Sequence, residues 1–341
     1  MDTPATQGFY MPPEWARHRG CWLAWPCEEE TFADLAAART AYAAVARAIA
    51  RFETLTIVAN PSHVGEARRL CGESVRVEAL SIDDAWARDT GPTYLVDERG
   101  RLGGVDWPFN GYGKYEPYAA DAAMAGWMLE HSKARRFEAP IILEGGAIHT
   151  DGEGTLLTTE SVVLNPNRNP GLTASEAEEI FRAYLGVREI IWLDKALEVD
   201  TTDGHVDNLA CFARPGVVAV LAESDPTDPH FEPLRDNRKR LERARDANGR
   251  SLEIVELRQP ARRELGGERL PMSYVNHYIA NGAVVLPVFG DPADEEAVRT
   301  TARLYPGREI VPIPALEIVK GGGGIHCITQ QEPLPAGRMR T

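Results

Sequence analysis

Short apolar runs alternate along the whole chain with longer stretches that have helical periodicity. Thr54–Ala59 is a largely apolar run typical of a buried strand, and residues 32–51 before it carry apolar side chains at helical spacing. Residues 175–184 predict another helix, because Thr173 and Glu176 have the spacing of a capping box. Further short strands, bounded by Gly, Pro or Asp, are predicted at residues 189–192, 217–221, 252–257, 283–288 and 310–313. The pattern predicts an α/β fold.

A coarser regularity lies above this alternation. Five times, a polar or glycine-rich element leads into an apolar strand, a tight turn and a second strand, as at residues 92–96, 147–158, 206–212, 278–288 and 325–329. The elements are marked by Asp89, Glu144, His205, Asn276 and Cys327, which are 55, 61, 71 and 51 residues apart. Such a period favours a ring of similar αβ units over two unrelated domains. Polar turns at these intervals also occur in any α/β protein, so the spacing alone leaves both interpretations open.

Composition and charge narrow the class of protein. The 341 residues are 43% hydrophobic and 26% charged, which is typical of a globular protein with a sizeable core. We predict one catalytic domain over residues 1–341, built of about five αβ units. The 51 acidic and 37 basic residues give a formal charge of −14, which argues against nucleic acid and anionic membranes as partners. A cationic small molecule fits this charge better.

The cysteines and the N-terminal residues bear on the cellular compartment expected for the protein. The sequence predicts no secretory signal and no membrane-spanning helix. The five cysteines are scattered and form no Cys-x-x-Cys pair, which leaves no zinc-ribbon or redox motif. Reduced thiols in the cytoplasm are therefore expected.

Cys327 follows four consecutive glycines, Gly321 to Gly324, and is the sharpest local signal. Glycines allow close approach to a ligand and positive φ angles, so the loop and a short strand after it would place the sulfur at the rim of a pocket. A phosphate-binding loop is the competing interpretation, but no Lys-Ser or Lys-Thr follows the glycines. Most single cysteines are small buried hydrophobes, and we assign the other four to that role.

Three further elements carry acidic or basic side chains. His205 and Asp207 would project together from an extended strand, which suits a general acid/base, although a surface histidine with an acidic neighbour is the alternative. Three carboxylates and the indole of Trp86 crowd residues 83–89, including Asp89. Glu144 is a lone carboxylate at a sharp turn.

These candidates imply a chemical conflict. Carboxylates around a thiol raise its pKa and suppress its reactivity unless a cation enters the site. A guanidinium offers paired N–H donors that match carboxylates, and its charge offsets theirs. Its carbon is a poor electrophile, which a site must clamp and desolvate beside a nucleophile. The residues therefore predict a guanidinium substrate.

Long motifs across nearly the whole chain resemble the agmatine deiminase branch of the guanidine-modifying enzymes, which also contains bacterial-type peptidylarginine deiminases. The motifs are residues 11–15 (MPPEW), 22–26 (WLAWP), 86–92 (WARDTGP), 106–111 (DWPFNG), 143–146 (LEGG), 152–159 (GEGTLLTT), 164–170 (LNPNRNP), 204–208 (GHVDN), 273–276 (SYVN) and 321–331 (GGGGIHCITQQ).

The resemblance implies a fold and a mechanism. The fold would be a fivefold pseudosymmetric α/β propeller. Cys327 would attack the guanidinium carbon, with Asp89 and Asp207 gripping its nitrogens beside Trp86. His205, oriented by Glu144, would protonate the departing ammonia and then activate water. For agmatine the product is N-carbamoylputrescine, and neither a metal nor an organic cofactor is needed.

The sequence departs from the family at two positions and leaves rivals open. The family usually has Asn at Gly324 and often Trp at Tyr112, which bears on the substrate. Peptidylarginine or another guanidine is the alternative substrate. Rivals of other classes are a metallohydrolase with His149, His205, Asp207 and Cys327 as ligands, and a non-catalytic propeller that binds a polyamine. A homodimer is left open.

Overall fold

Strands and helices alternate along the chain in the order that the hydrophobic pattern predicts. The computed structural model describes residues 2–194, 197 and 200–335. Its strands are β1 (Phe9–Tyr10), β2 (His18–Ala24), β3 (Thr54–Ala59), β4 (Val75–Ala79), β5 (Thr93–Asp97), β6 (Leu102–Asp106), β7 (Arg135–Glu138), β8 (Ile148–Thr150), β9 (Thr155–Thr159), β10 (Glu189–Leu193), β11 (Ala210–Arg214), β12 (Val217–Ala222), β13 (Glu253–Arg258), β14 (Glu264–Leu265), β15 (Glu268–Arg269), β16 (Tyr278–Ala280), β17 (Ala283–Val288), β18 (Glu309–Pro314) and β19 (Thr329–Pro333).

The helices lie between these strands and give the chain its mixed α/β fold. They are α1 (Leu35–Ile49), α2 (Val64–Cys71), α3 (Ala87–Thr90), α4 (Ala119–Ala122), α5 (Met124–Ser132), α6 (Glu160–Val163), α7 (Ala174–Leu185), α8 (Phe231–Arg243), α9 (Asp294–Leu304) and α10 (Leu316–Val319). The capping box predicted at Thr173 is confirmed, because its hydroxyl accepts from the Glu176 N–H and the Glu176 carboxylate accepts from the Thr173 N–H. Among the described residues, no helix is long and apolar enough to cross a membrane.

One strand order recurs in five sheets of the described residues. An antiparallel hairpin is followed by a helix and then by a strand that runs parallel to the second hairpin strand, as in β5-β6-β7. The same order occurs in β8-β9-β10, β11-β12-β13 and β16-β17-β18. The set β19-β2-β3 also has it, except that its antiparallel pair comes from the two ends of the chain and is not a hairpin. The long crossover through a helix is what a parallel pair requires.

The two ends of the chain meet in one of these sheets. Strand β19 pairs antiparallel with β2, with Thr329 opposite Leu23 and Gln331 opposite Cys21. The last strand of the chain therefore completes a unit begun by the first long strand. This pairing also places Cys327, two residues before β19, beside the N-terminal part of the chain.

Buried apolar side chains fill the space between helices and sheets. Strands β3, β12 and β17 are buried along most of their length, as expected for strands covered on both faces. Helix α1 buries Tyr42, Val45 and Ile49. Each of these side chains contributes roughly 1.5–3 kcal/mol through the apolar area it removes from water.

Two predicted strands are wrong in their bounds, and both changes affect candidate residues. Val206–Asn208 forms a 3-10 turn, and β11 begins only at Ala210. Residues 325–328 also form a turn, because the Thr329 N–H donates to the His326 carbonyl, so Cys327 precedes its strand instead of lying within it. In both places the backbone curls before the strand and turns polar side chains away from the sheet.

Candidate active site

A cavity of about 500 Å³ opens beside Cys327. Asp89, Trp86 and Cys327 lie in its wall, and the Trp86 indole N–H donates to Asp84 Oδ2 at 2.9 Å. Loop residues 109–118 and the glycine loop supply much of the remaining wall. The lining residues are Glu28, Glu30, Thr31, Asp83, Asp84, Trp86, Asp89, Phe109, Gly111, Tyr112, Tyr115, Glu116, Pro117, Tyr118, Asp121, Thr201, Thr202, Asn208, Gly321, Gly322, Gly323 and Cys327.

The glycine loop serves mainly for close packing, which corrects the expected role of positive φ angles. Only Gly322 of the four has a positive φ, at 103°. A Cβ atom on Gly321 would lie 2.3 Å from the Phe32 ring, and one on Gly323 would lie 2.5 Å from the Trp86 ring. A Cβ on Gly324 would lie 2.3 Å from Asn276 Oδ1. The amide of Asn276 therefore fills the space beside the position where the family usually has Asn.

Cys327 is buried and touches polar side chains from two other units. Its Sγ lies 3.4 Å from Asp207 Oδ2 and accepts a hydrogen bond from Asn276 Nδ2 at 3.2 Å. Its carbonyl accepts from the Arg88 N–H at 3.1 Å. These contacts fix the sulfur at the wall of the cavity.

His205 lies between two carboxylates. Its Nδ1 is 3.7 Å from Asp89 Oδ1, and its Nε2 is 3.5 Å from Glu144 Oε2. His205 and Asp207 do not lie in the extended strand predicted for them, since His205 immediately precedes the 3-10 turn that contains Asp207. The turn nevertheless directs both side chains to one place, because a Cβ on Gly146 would lie 2.5 Å from His205 Nδ1 and 3.1 Å from Asp207 Oδ2.

Gly146 is the point around which these side chains converge. Its backbone N–H donates to Asp89 Oδ1 at 2.9 Å, and a Cβ at this position would lie 2.9 Å from the same oxygen. Only glycine leaves room for the imidazole and both carboxylates. The Leu-Glu-Gly-Gly motif therefore supplies both Glu144 and the space that the other side chains occupy.

Mutual charges set the protonation state of His205 and its partners. Burial would lower the pKa of His205, but Asp89, Glu144 and Asp207 raise it to about 9. Burial would raise the pKa of Glu144, but His205 and Arg168 lower it below its usual value. Burial would likewise raise the pKa of Asp207, which His326 and His205 hold below its usual value. An imidazolium beside ionised carboxylates is therefore the state at neutral pH.

The pKa values of Asp89 and of the Cys327 thiol are both raised, which favours their neutral forms. Burial raises the pKa of Asp89 to about 6, with Asp207 and Glu144 adding to the rise and His205 opposing it. Burial, Asp207 and Asp89 together raise the pKa of the Cys327 thiol well above its usual value. The conflict predicted from the sequence is thus present, because carboxylates keep the sulfur protonated unless a cation enters.

Several buried polar atoms of the described residues have no hydrogen-bond partner. They include both ring nitrogens of His205, Oε2 of Glu144 and Oδ1 of Asp207. Such atoms are uncommon in folded proteins, and their clustering here indicates a place where donors and acceptors of a ligand complete the network. His205, Asp207 and Glu144 are absent from the lining of the cavity and lie directly behind Asp89 and Cys327.

The metallohydrolase rival does not match this arrangement. Among residues 2–194, 197 and 200–335, no group of three or more His, Cys, Asp and Glu is placed to hold a metal ion. His149, one of the four ligands of that rival, faces Glu14 at 3.5 Å. Its Nδ1 accepts from the Phe212 N–H at 3.2 Å.

Sequence reasoning missed two residues that hold the carboxylates. Tyr112, treated only as a departure from the family, donates its hydroxyl to Asp89 Oδ2 at 2.9 Å. Arg168 donates to Glu144 Oε1 at 2.9 Å and lies over the Tyr112 ring. Asn276, used only to mark a repeat, binds the sulfur of Cys327. The repeat itself was the available signal, since Asn276 occupies the same place in its unit as the other four markers.

Comparison with protein families gives a match over most of the chain. The family model described as Porphyromonas-type peptidyl-arginine deiminase matches residues 10–333. The agmatine deiminase of Stutzerimonas stutzeri is 44% identical over 359 aligned positions, which cover 98% of each chain.

Solved structures agree with this similarity. The agmatine deiminase of Enterococcus faecalis superposes with a TM-score of 0.95 at 33% identity, covering 98% of this chain and 99% of that one. A Cys-to-Ser variant of the Campylobacter jejuni agmatine deiminase, described with substrate bound, gives a TM-score of 0.88 at 26% identity over 95% of this chain and 96% of that one.

Replacing Asp89 by Asn should increase the reactivity of Cys327. The change removes one of the two carboxylates that raise the pKa of the thiol, so more thiolate is present at a given pH. A neighbouring charge shifts a pKa by about 1–3 units, and we expect alkylation about tenfold faster near pH 8. Peptide mass spectrometry after timed iodoacetamide treatment measures the rate, with the buried Cys71 as reference.

The matched control is Asp84→Asn. Asp84 also lines the cavity, but its carboxylate is bound to Thr31 and Trp86, and the carboxylates that chiefly raise the pKa of the Cys327 thiol are Asp207 and Asp89. The Asp84 variant should be labelled at the wild-type rate. Equal rates for the two variants would show that Asp89 is not the carboxylate that suppresses the thiol.

Proposed function

Since the chain belongs to the Porphyromonas-type peptidyl-arginine deiminase family, we propose that it hydrolyses agmatine to N-carbamoylputrescine and ammonia. The observation that carries the proposal is the meeting of Cys327, His205 and three carboxylates beside a cavity whose charged lining residues are all acidic. The names of its relatives from S. stutzeri and E. faecalis support the same activity.

Substrate charge would resolve the electrostatic conflict in the site. In our proposal the guanidinium donates to Asp89, at the cavity wall, and to the unpaired Oδ1 of Asp207 behind it. Its positive charge offsets the two carboxylates that raise the pKa of Cys327, so the thiolate forms when substrate is present. Cys327 is thus a reactive thiolate only while a cation is bound.

The first chemical step is the attack of Cys327 Sγ on the guanidinium carbon. A carbon–sulfur bond forms, and the carbon–nitrogen bond to the departing ammonia breaks. His205 is charged at neutral pH and gives the leaving nitrogen its proton. Glu144, held by Arg168, keeps the imidazole ring in place. The intermediate is an amidino-thioether on Cys327.

The second step returns the enzyme to its starting state. His205, now neutral, takes a proton from water as the water oxygen attacks the same carbon. The carbon–sulfur bond breaks, the second proton of that water passes to the departing sulfur, and the neutral ureido product leaves with Cys327 restored as the thiol. Water supplies the oxygen of the product, so no other reactant is required.

The charge of the cavity wall bears on the far part of the substrate. Apart from Asp89, the acidic residues Glu28, Glu30, Asp83, Asp84, Glu116 and Asp121 line the cavity, and no Lys or Arg is among its described lining residues. Burial raises the pKa of Asp121 to about 8, so the other five supply most of the negative charge. An ammonium group suits this wall, whereas the carboxylate of free arginine would face repulsion. Arg88, a basic residue within a motif, is buried and bound to Glu14 instead.

We also propose that the chain forms a single catalytic domain in which the five units surround the site as propeller blades. Each unit contributes one marker residue just before its first strand. The sharing of one sheet by both chain ends supports this arrangement, since it joins the last unit to the first.

A side-by-side assay tests the substrate. We expect kcat/KM for agmatine to exceed that for arginine and for a blocked peptidylarginine by about 10²-fold or more, since mispairing a buried charge costs about 2–5 kcal/mol. Ureido product is measured under identical conditions. Butylguanidine, which lacks only the ammonium, is the matched control and should be poor. A peptidylarginine that equals or exceeds agmatine would reverse the assignment.

The covalent intermediate can be trapped. Acid quenching during steady turnover should leave protein that carries one added amidino group, and peptide mapping should locate the group on Cys327. The Cys327→Ala variant should show neither adduct nor turnover, because losing a nucleophile costs several orders of magnitude, roughly 10⁴ or more. Residual activity of that variant within about tenfold of wild type would remove Cys327 from the role.

Gly146→Ala should disrupt the alignment of His205 without unfolding the chain. The added Cβ would lie 2.5 Å from His205 Nδ1, and a shift of about 1 Å can cost 10²-fold in rate. Steady-state kinetics and a thermal melt measure the two effects. Gly65→Ala is the control, because a Cβ there meets nothing within 4 Å and lies in a helix. Full activity in the Gly146 variant would show that the imidazole tolerates displacement.

A further inference from the structure

A row of alternating charges lies behind the site, on the side away from the cavity. Arg88 Nη1 donates to Glu14 Oε1 at 3.1 Å, and His326 Nε2 lies 2.7 Å from the same oxygen. His326 Nδ1 lies 2.9 Å from Asp207 Oδ2, which is 3.4 Å from Cys327 Sγ. All four charged side chains are nearly inaccessible to solvent. Glu14 belongs to the Met-Pro-Pro-Glu-Trp motif, to which the proposed mechanism assigns no role.

The geometry requires His326 to carry a charge. Both ring nitrogens face carboxylate oxygens, which only accept hydrogen bonds, so both nitrogens must carry protons. Burial and Arg88 would lower the pKa of His326, but Glu14 and Asp207 outweigh them and raise it. Burial would raise the pKa of Glu14, but the charges of His326 and Arg88 hold it well below its usual value.

The other histidines around this row are neutral by geometry. His149 accepts a backbone N–H on Nδ1, so its proton is on Nε2, which faces Glu14. His277 donates from Nδ1 to the Tyr274 carbonyl and accepts the Tyr305 hydroxyl on Nε2. Burial lowers the pKa of His277 to about 4, which agrees with a neutral ring.

Within the described residues, no other titratable group that faces this row forms an ion pair with Asp207, although the charge of His205 helps to lower its pKa. Burial raises the pKa of the Cys211 thiol to about 12, so it is neutral. His205 and Cys327 face Asp207 from the cavity side, with Asp89 beyond His205. Within the described residues, His326 is therefore the cation in direct contact with Asp207, and Glu14 is the carboxylate that keeps it charged.

We propose that Glu14 and His326 are positioning residues, which together hold Asp207 as a fixed carboxylate ready to receive the guanidinium. His326 occupies Oδ2 of Asp207 and leaves Oδ1 unpaired for the substrate. The N-terminal segment that carries Glu14 is thus part of the working site, although Glu14 lies outside the wall of the cavity. This inference rests on the proposed function, in which Asp207 grips the substrate.

Glu14→Gln is the principal test. Gln keeps the shape but removes the charge, so His326 should lose its second proton and Asp207 should become easier to protonate. Asp207 works as a carboxylate above its pKa, so a raised pKa moves the acidic limb of kcat/KM to higher pH. We expect a shift of about one unit and therefore about tenfold lower kcat/KM on that limb. Most of the decrease in kcat/KM should come from a higher KM, because Asp207 binds the substrate.

Two further variants separate charge from shape. Glu14→Asp disturbs the packing more than Glu14→Gln does, but it keeps the charge. The acidic limb of its kcat/KM profile should therefore lie close to that of wild type. Glu332→Gln is the control, since Glu332 is equally buried and bound to Trp22 and Ser132 but does not contact the site. Its pH profile should match wild type. An Asp variant with a greater shift than the Gln variant, or a shift in the control, would overturn the proposal.

A measurement on the unaltered protein covers the case in which a variant fails to fold. Nitrogen NMR of ¹⁵N-histidine-labelled protein, with His326 assigned by comparison with His326→Gln, should show both ring nitrogens protonated at pH 7. A neutral His326 ring would overturn the inference. This readout needs no substrate, so it remains decisive if agmatine proves inactive and the proposed function fails.

Discussion

Carboxylates buried beside a thiol are unfavourable unless positive charge lies among them. Asp89, Glu144 and Asp207 surround His205 and Cys327 in a space nearly inaccessible to solvent. The imidazolium of His205 balances part of this charge, while the pKa of Asp89 and of the Cys327 thiol remain raised. The site therefore has more negative than positive charge, and a planar cation is the ligand that balances it.

The rest of the fold serves to bring these groups together. Each lies in a turn or short helix before the first strand of a different β–β–α–β unit, apart from His205 and Asp207, which share one. A turn is a suitable position because the rigid sheet behind it fixes the backbone while the side chain points away from the sheet. Gly146 and the glycine loop then permit approaches that any Cβ would prevent.

Support for the site extends well beyond the groups that would touch a substrate. Arg168 holds Glu144, Tyr112 holds Asp89, and His326 holds Asp207. Glu144 and Asp207 thus each have one oxygen bound by a side chain, and Asp89 has both oxygens bound, by Tyr112 and the Gly146 N–H. These bonds fix the orientation of each carboxylate before any ligand arrives. The partners of Asp89 and Glu144 also contact one another, since Arg168 lies over the ring of Tyr112.

The sequence by itself determined the α/β alternation, the capping box at Thr173 and the set of candidate residues, because apolar periodicity and side-chain chemistry are local properties. It also marked Asn276 as equivalent to the other four elements. Only the tertiary structure decided that Val206–Asn208 is a turn and that Glu14 contacts His326. It also decided that a Cβ on three of the four glycines would clash with a neighbouring side chain. Glu14 and His326 are 312 residues apart, and strand pairing between the chain ends brings them together. No local pattern encodes such a distance, since it depends on the packing of every unit between them.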